Sequence, residues 1–489
     1  VAAFRGDLRA PLPLHPLEKA LIWVAALNVC SLPWMLGGMR PWAQFIALGL
    51  SLIAFGLSLF PRRYTDHLVH GEAYTFVPLK KLLRWPLWWI GLVFFGYVLI
   101  QALNPSYEFR QFPTSWGMVP IAHVEWLPTG MRTPFAMMNP WRQMMIWGAP
   151  FLLACALWAG FTRRKSVITL LTAIVANATI LAIVGMVARE TANGKILWVV
   201  KGLKNYAFSS FIYKNHAGSF FALTLGLTLA LAVYHHTTAR RKRHRSSPAP
   251  LMVFLAMIQA VAVLQSYSRA AILITGAFLV VFTLITGGRL VWTGGLMAAP
   301  LLLGIFVVGL AGFGFMASKL VNSERTLDRL QSLTDADRTD QSALFRQIAW
   351  QAGLEMSSER PNLGWGSGGF RFLFPKYQMS RPEIMWRENK RGRTFMFWEH
   401  AHNDYLQLLI ETGRIGAGVI GLGLITFLIN FIRARGFSHP TALALLGAGG
   451  ISLAHAGADF PLQNPAILVT LATTALFTLI LPRLETRTR

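Results

Sequence analysis

Twelve stretches of this chain are apolar for long enough to cross a bilayer, and no other feature constrains its fold as strongly. About 20 apolar residues span the hydrocarbon as a helix. Such runs lie near 17–36, 42–59, 86–103, 143–161, 166–187, 217–234, 251–267, 270–286, 291–316, 415–432, 440–456 and 466–482. At that depth backbone groups have no water to bond, so each run must satisfy its own hydrogen bonds as a helix. The expected fold class is an all-α integral membrane protein with about 12 transmembrane helices. The first run is too long and Trp-rich to read as a cleaved signal peptide, and no small-residue cleavage site follows it. No internal repeat is visible.

Composition enters as an apparent contradiction. The 489 residues carry 46 Lys+Arg against 21 Asp+Glu, a net charge of +25. Such an excess first suggests nucleic acid. Yet 54% of the residues are hydrophobic and only 14% charged, where a soluble chain carries about 25%. A soluble nucleic-acid binder is excluded, and the partners are membrane lipids rather than nucleic acid.

The position of the charge sets orientation. Arg5, Arg9, Lys19, Arg62, Arg63, Lys80, Lys81, Arg84, Arg163–Lys165, Arg240–Arg243, Arg245, Arg289, Arg433, Arg435, Arg483, Arg487 and Arg489 fall on one set of connections. Only Asp7, Glu18, Asp66, Glu72 and Glu485 accompany them. Basic loops stay cytoplasmic, so both termini are expected inside. The chain then divides into helices 1–9 over 1–316, a large outward loop over 317–414, and helices 10–12 over 415–489. Two smaller outward loops cover 104–142 and 188–216. A loop near 100 residues long is expected to hold structure of its own. Leu330, Leu333, Leu344, Ile348, Ala349 and Leu354 suit amphipathic helices there, and 402–413 reads as a short helix leading into the tenth span. Cys30 and Cys155 sit in apolar runs and read as small buried hydrophobes.

No Asp or Glu lies well inside a span, which argues against an ion-coupled transporter. Ionisable residues gather instead at outward span ends: Arg142, Arg189, Lys214, His216, Arg269, His400, His402 and Arg414. Arg269, in Ser266-Tyr267-Ser268-Arg269-Ala270, sits at a tight turn. It is either a snorkelling arginine or an anion clamp whose planar fork matches phosphate oxygens. Asn215, in Tyr213-Lys214-Asn215-His216, is a helix cap or, with its neighbours, a binder of lipid phosphate. Arg346 lies on an expected helix with Trp350 one turn on, where a solvated side chain is the plain alternative to a function.

Glu399-His400-Ala401-His402-Asn403-Asp404-Tyr405 is the densest polar cluster. Two histidines suggest a metal, but no convincing ligand set completes one. A histidine beside the membrane also suits general-base work at neutral pH, with Asn403 or Asp404 to orient it. Asp335-Ala336-Asp337 has the D-x-D form of metal-dependent glycosyltransferases, on three letters only. Gly364-Trp365-Gly366-Ser367-Gly368-Gly369 lacks the ending of a phosphate loop and reads as packing turns.

Four segments, in this order and placement, resemble the O-antigen ligase/polymerase superfamily. They are Phe211–Gly218 at a span start, Ser268-Arg269-Ala270 at an outward turn, Arg346 and Trp350 through Pro361–Gly366 to Phe370, and His402-Asn403 with Tyr405–Gln407. The resemblance covers roughly 200–430, and the first 200 residues match in hydropathy alone. It implies a GT-C-type glycosyltransferase of the bacterial inner membrane, metal-independent and without cofactor, working on the periplasmic face. The implied donor is a glycan on undecaprenyl pyrophosphate. The implied acceptor is lipid A-core for a ligase, or a second lipid-linked glycan for a polymerase. It also implies His402 as the loop histidine and Arg269 and Arg346 as the arginines, with His400 a departure from the simplest pattern. Arg142, Arg189, Lys214, Asn215, His216 and Asn403 are candidates for further contacts to pyrophosphate or glycan. From another class, a flippase or anion transporter would need charge along a path through the membrane, whereas here it lies at one end.

Overall fold

The computed structural model describes residues 14–65, 73–201, 206–294, 341–389 and 392–486. Eleven of the twelve apolar runs coincide with helices in it. These are α1 (Pro16–Trp34), α2 (Pro41–Leu59), α4 (Pro86–Leu103), α5 (Pro140–Gly160), α6 (Arg164–Thr191), α7 (Lys214–Lys242), α8 (Ala249–Gln265), α9 (Arg269–Gly294), α13 (Asp404–Arg433), α14 (Pro440–Ala456) and α15 (Pro465–Thr486). The run near 291–316 lies, beyond residue 294, outside the described residues. Eight of these helices are long and apolar enough to cross a membrane, and α8 and α14 are shorter apolar helices. The protein is a multi-pass membrane protein.

Helix starts follow simple chemistry. Proline opens α1, α2, α4, α5, α14 and α15, at positions whose missing N–H would have no partner anyway. Side chains also cap starts: Asn139 accepts from the Arg142 N–H of α5 at 2.9 Å and Asn403 from the Leu406 N–H of α13 at 3.0 Å, as N-caps do.

α7 is the central pillar, with every side chain from Asn215 to Ala232 buried. Its hydroxyls turn back to their own helix, as when Thr228 donates to the Thr224 carbonyl at 2.8 Å. Polar links between helices are sparse. Gln259 of α8 donates to Thr179 of α6 and Thr228 of α7 at 2.9 and 3.0 Å, and Asn28 of α1 donates to Ser51 of α2 at 2.8 Å. Each such link contributes roughly 0.6 kcal/mol in a membrane. The outer helices keep apolar faces exposed, with Phe45, Leu52 and Ile53 on α2 and Leu422, Ile425 and Ile429 on α13. That is the surface a lipid-facing helix needs.

The expected all-α body is edged by small sheets that hydropathy did not announce. β1 (Arg62–Thr65) pairs with β2 (Ala73–Phe76), ahead of the short α3 (Pro78–Leu83). Between α4 and α5, β3 (Pro105–Gln111) lies between β4 (Trp116–Pro120) and β5 (Gly130–Arg132). β6 (Lys195–Ile196) and β7 (Val200–Lys201) form a minimal hairpin before α7.

The large loop has its own core. α10 (Gln341–Glu359), α11 (Phe370–Gln378), α12 (Pro382–Met385) and the hairpin of β8 (Trp386–Asn389) and β9 (Gly392–Phe395) cover the start of α13. Ala352, Met356, Trp365, Phe370, Phe374 and Ile410 fill that second core. On α10 the buried stripe is Ala349, Ala352, Gly353 and Met356, and Leu344 and Leu354 are exposed. The expected helix is present over these positions, and Leu344 and Leu354 lie off its buried 3.6-residue stripe. Leu330, Leu333, Asp335 and Asp337 lie outside the described residues.

The glycine-rich segment makes packing turns. At Gly413 the α13 backbone breaks, with φ 61° and ψ −172°, a region open essentially to glycine. The chain after α10 threads into the break: Trp365 and Gly366 donate to the Ile410 and Glu411 carbonyls, both at 2.9 Å. Gly364 has φ +72°, and a Cβ there would lie 2.5 Å from the Gly413 nitrogen. This junction fixes where the first turns of α13, and the loop before them, stand over the helix bundle.

Candidate active site

The loop 398–403 is pinned from both sides. Trp350 donates to the Ala401 carbonyl at 2.9 Å, and the Gln407 side chain accepts from the Ala401 N–H at 3.2 Å. Directly after these ties His402 takes φ +51°, a left-handed conformation that costs a non-glycine residue roughly 1–3 kcal/mol. The strained turn sets its ring against a carboxylate that the sequence reading had not singled out. His402 Nδ1 lies 3.0 Å from Oδ1 of Asp459, in the turn between α14 and α15.

Asp459 is 1% exposed and collects donors from four segments. The Tyr213 hydroxyl donates at 3.2 Å, Asn215 Nδ2 also donates, and the Phe460 N–H donates at 3.0 Å. Arg346 stands 3.6 Å away. Burial alone would raise this carboxyl; the hydrogen bond from His402 and the charge of Arg346 outweigh it and hold the group well below the usual carboxylate range. Asp459 is therefore an anion that accepts from His402 Nδ1, which leaves Nε2 as the ring nitrogen open to substrate. Burial, reinforced by the Asp459 charge, pushes the Tyr213 phenol well above its ordinary value, so it stays a donor. Phe460 is the hub of the cluster, stacked on Tyr213 at 5.2 Å and His400 at 4.3 Å and edge-on to His402 at 4.8 Å.

These groups form one wall of a cavity of about 1610 Å³. Lys214, Arg269, Arg346, Arg387 and Arg393 bring positive charge to its lining, against Glu383 and Glu399. Trp386, Phe395, Phe397 and Trp398 add aromatic surface. Arg346 also donates to the Ala458 carbonyl at 3.0 Å, so the turn that carries Asp459 is what holds it. The lining thus joins His402, backed by the buried Asp459, with a set of cations suited to anionic oxygens and aromatic faces.

Of the sequence candidates, His402, His400, Arg269, Arg346, Lys214 and Asn215 meet at this cavity. His400 is committed elsewhere: its Nδ1 bonds Gln407 at 3.3 Å and its Nε2 faces Arg371 at 3.4 Å. Burial, then the Arg371 charge, holds it well below its ordinary pKa, so it is a neutral, packed ring. Four candidates do not line the cavity. Arg142 is buried and donates to Gln44, Ala136 and Met39. Arg189 donates to the Gln265 carbonyl and lies over the Tyr267 ring at 4.2 Å. His216 is buried between the Phe460 carbonyl, at 3.2 Å, and Asn464, at 3.4 Å. Asn403 is the N-cap of α13. Nor does Asp404 bond His402; it accepts from the Leu462 N–H at 2.8 Å, bracing the turn that carries Asp459. The missed residue left one signal. Asp459 is a lone carboxylate at the end of an apolar span, the criterion that had drawn attention to Arg269.

Residues 251–421 match the family described as O-antigen ligase. The match places this segment in the O-antigen ligase/polymerase superfamily. It includes Arg269, Arg346, His400 and His402, whereas Lys214, Asn215 and Asp459 lie outside it. The chain is also similar to the exopolysaccharide production protein ExoQ of Rhizobium meliloti (strain 1021), 26% identical over 129 residues. That alignment covers 26% of this chain and 28% of the relative, so little more than a quarter of either protein is compared.

Proposed function

We propose that the chain is a glycosyltransferase that moves a glycan from undecaprenyl pyrophosphate to a sugar hydroxyl. In this reading twelve helices cross the bacterial inner membrane with both termini cytoplasmic, and the cavity opens at the periplasmic face. The observation that carries it is the His402–Asp459 pair set beside Arg346, Arg269 and Lys214 on one cavity.

The chemistry follows from that arrangement. The acceptor hydroxyl attacks the anomeric carbon, a C–O bond forms there, and the bond from that carbon to the pyrophosphate oxygen breaks. The proton passes to His402 Nε2, and Asp459 stabilises the imidazolium through Nδ1. Charge growing on the departing pyrophosphate is met by Arg346, Arg269 and Lys214, fixed in advance of the reaction, where such groups are most effective. Displacement from the opposite face inverts the anomeric configuration. No step calls on a metal, and all the groups named are side chains of this protein.

The description of the matched family favours an O-antigen ligase, with lipid A-core as acceptor. One observation favours a polymerase that extends a lipid-linked glycan: the relative's name, exopolysaccharide production protein. Complementation separates the two. The gene, supplied with a matching donor glycan, is placed in a ligase-null and a polymerase-null strain, and lipopolysaccharide is resolved on a gel. Restored attachment of long chains supports the ligase. Restored chain length in the polymerase-null strain supports the polymerase and overturns the ligase reading. Restoration in neither strain contradicts both.

A further inference from the structure

A second, smaller cavity lies at the other end of the bundle, where the proposed reaction has no use for it. Its volume is about 400 Å³, and Lys80, Lys81, Arg84 and Arg483 bring four cations to it, with no acidic residue in the lining among the described residues. α5 and α15 both run from the region of the His402 cavity to this one. Pro465 follows Asn464, which bonds His216, while Ile480, Arg483 and Leu484 line the small cavity. Twenty helical residues span about 30 Å, which is the thickness of the hydrocarbon core. The two cavities therefore face opposite membrane surfaces.

The small cavity is built around Trp158. Lys81 Nζ lies 5.5 Å and Arg483 Cζ 4.9 Å from its ring centre, and Trp85 stacks on it at 4.6 Å. Trp158 is 5% exposed, and its buried indole N–H has no hydrogen-bond partner among the described residues. Lys81 is steadied by the Phe161 carbonyl at 3.0 Å, and Arg483 by Asn430 at 2.7 Å. Lys80 and Arg84 are exposed at the rim. Ile480, Leu484, Phe76 and Val77 supply apolar walls. Cations around an orphan donor, beside an apolar wall, match a phosphodiester attached to acyl chains better than a free ion. We propose that this cavity seats the phosphate of an anionic phospholipid from the leaflet opposite the His402 site, with an acyl chain along Ile480 and Leu484.

The test is native mass spectrometry of the full chain in nonionic detergent, titrated with phosphatidylglycerol, phosphatidylcholine or inorganic phosphate. Retention of phosphatidylglycerol over phosphatidylcholine is expected. A Lys80→Ala/Arg84→Ala double variant should bind it more than tenfold more weakly, at roughly fivefold per cation removed. Both side chains are exposed, so the variant should elute from size exclusion like the parent, and Lys80→Arg/Arg84→Lys should retain the lipid. Equal retention of phosphatidylcholine, or unchanged binding by the double alanine variant, overturns the proposal. Displacement of phosphatidylglycerol by an equal concentration of inorganic phosphate overturns the lipid as the source of the phosphate.

Discussion

Replacing Asp459 by Asn tests the site at the point where its parts converge. The substitution keeps the shape and removes one negative charge 3.0 Å from His402 Nδ1. In the transition state the ring becomes an imidazolium. Charge centres about 4 Å apart at an effective dielectric of 20 interact by roughly 4 kcal/mol. A neutral amide acceptor returns about 1 kcal/mol of that through its hydrogen bond. The net loss is about 3 kcal/mol, or roughly a hundredfold in the rate of the chemical step. Arg346 keeps its bond to the Ala458 carbonyl, so donor binding should change only a few-fold. The assay is single-turnover transfer from a labelled lipid-linked glycan by protein reconstituted in liposomes, with donor concentration varied to separate kcat from KM. A fall in kcat of about two orders of magnitude with a nearly constant KM is expected. A kcat within threefold of the parent would refute the role of Asp459 behind His402.

Other substitutions probe the remaining parts. Arg346→Lys keeps the charge and loses the planar fork that reaches both Ala458 and Asp459; transfer should fall at least tenfold, with a raised donor KM, in the same assay. Gly413→Ala places a Cβ 2.3 Å from the Asn362 carbonyl oxygen in a glycine-only conformation, and thermal unfolding in detergent should show a loss of about 3 kcal/mol or more. His400 is neutral in the fold and protonates below its ordinary value, whereas the unfolded chain takes up that proton near pH 6.5. Its contribution is therefore present above about pH 6.5 and lost as pH falls further, at up to about 1.4 kcal/mol per pH unit. His400→Gln should flatten the decline of thermal stability between pH 7 and 5, and an unchanged slope would count against a buried neutral ring.

Sequence reading succeeded where one local property decides the structure. Hydropathy marked 86–103 and 440–456 to the residue, because burial in lipid imposes the helix whatever its neighbours do. It missed the sheet around β3, since Pro105–Gln111 pairs with partners chosen by tertiary contact and shows no long apolar run. The site divides in the same way. Residues with unusual local context, such as Arg269 at a tight turn and His402 in a polar cluster, stood out. Asp459 did not, because its role is conferred by Tyr213, Arg346 and His402 from three distant segments. Arg142 and Arg189 had the right residue type at the right depth, yet their donors are occupied by backbone and side-chain partners that only packing could reveal.

The most direct measurement is transfer by the purified chain and by His402→Ala in liposomes. Each receives an undecaprenyl-pyrophosphate-linked glycan with either lipid A-core or a second lipid-linked glycan as acceptor. The parent should join donor to one of these acceptors with inversion at the anomeric carbon. His402→Ala, reconstituted to the same level with the same thermal midpoint, should give less than about 1% of that rate, as expected when a positioned general base is removed. Near-parental transfer by His402→Ala, or a product that retains the anomeric configuration, would contradict the account.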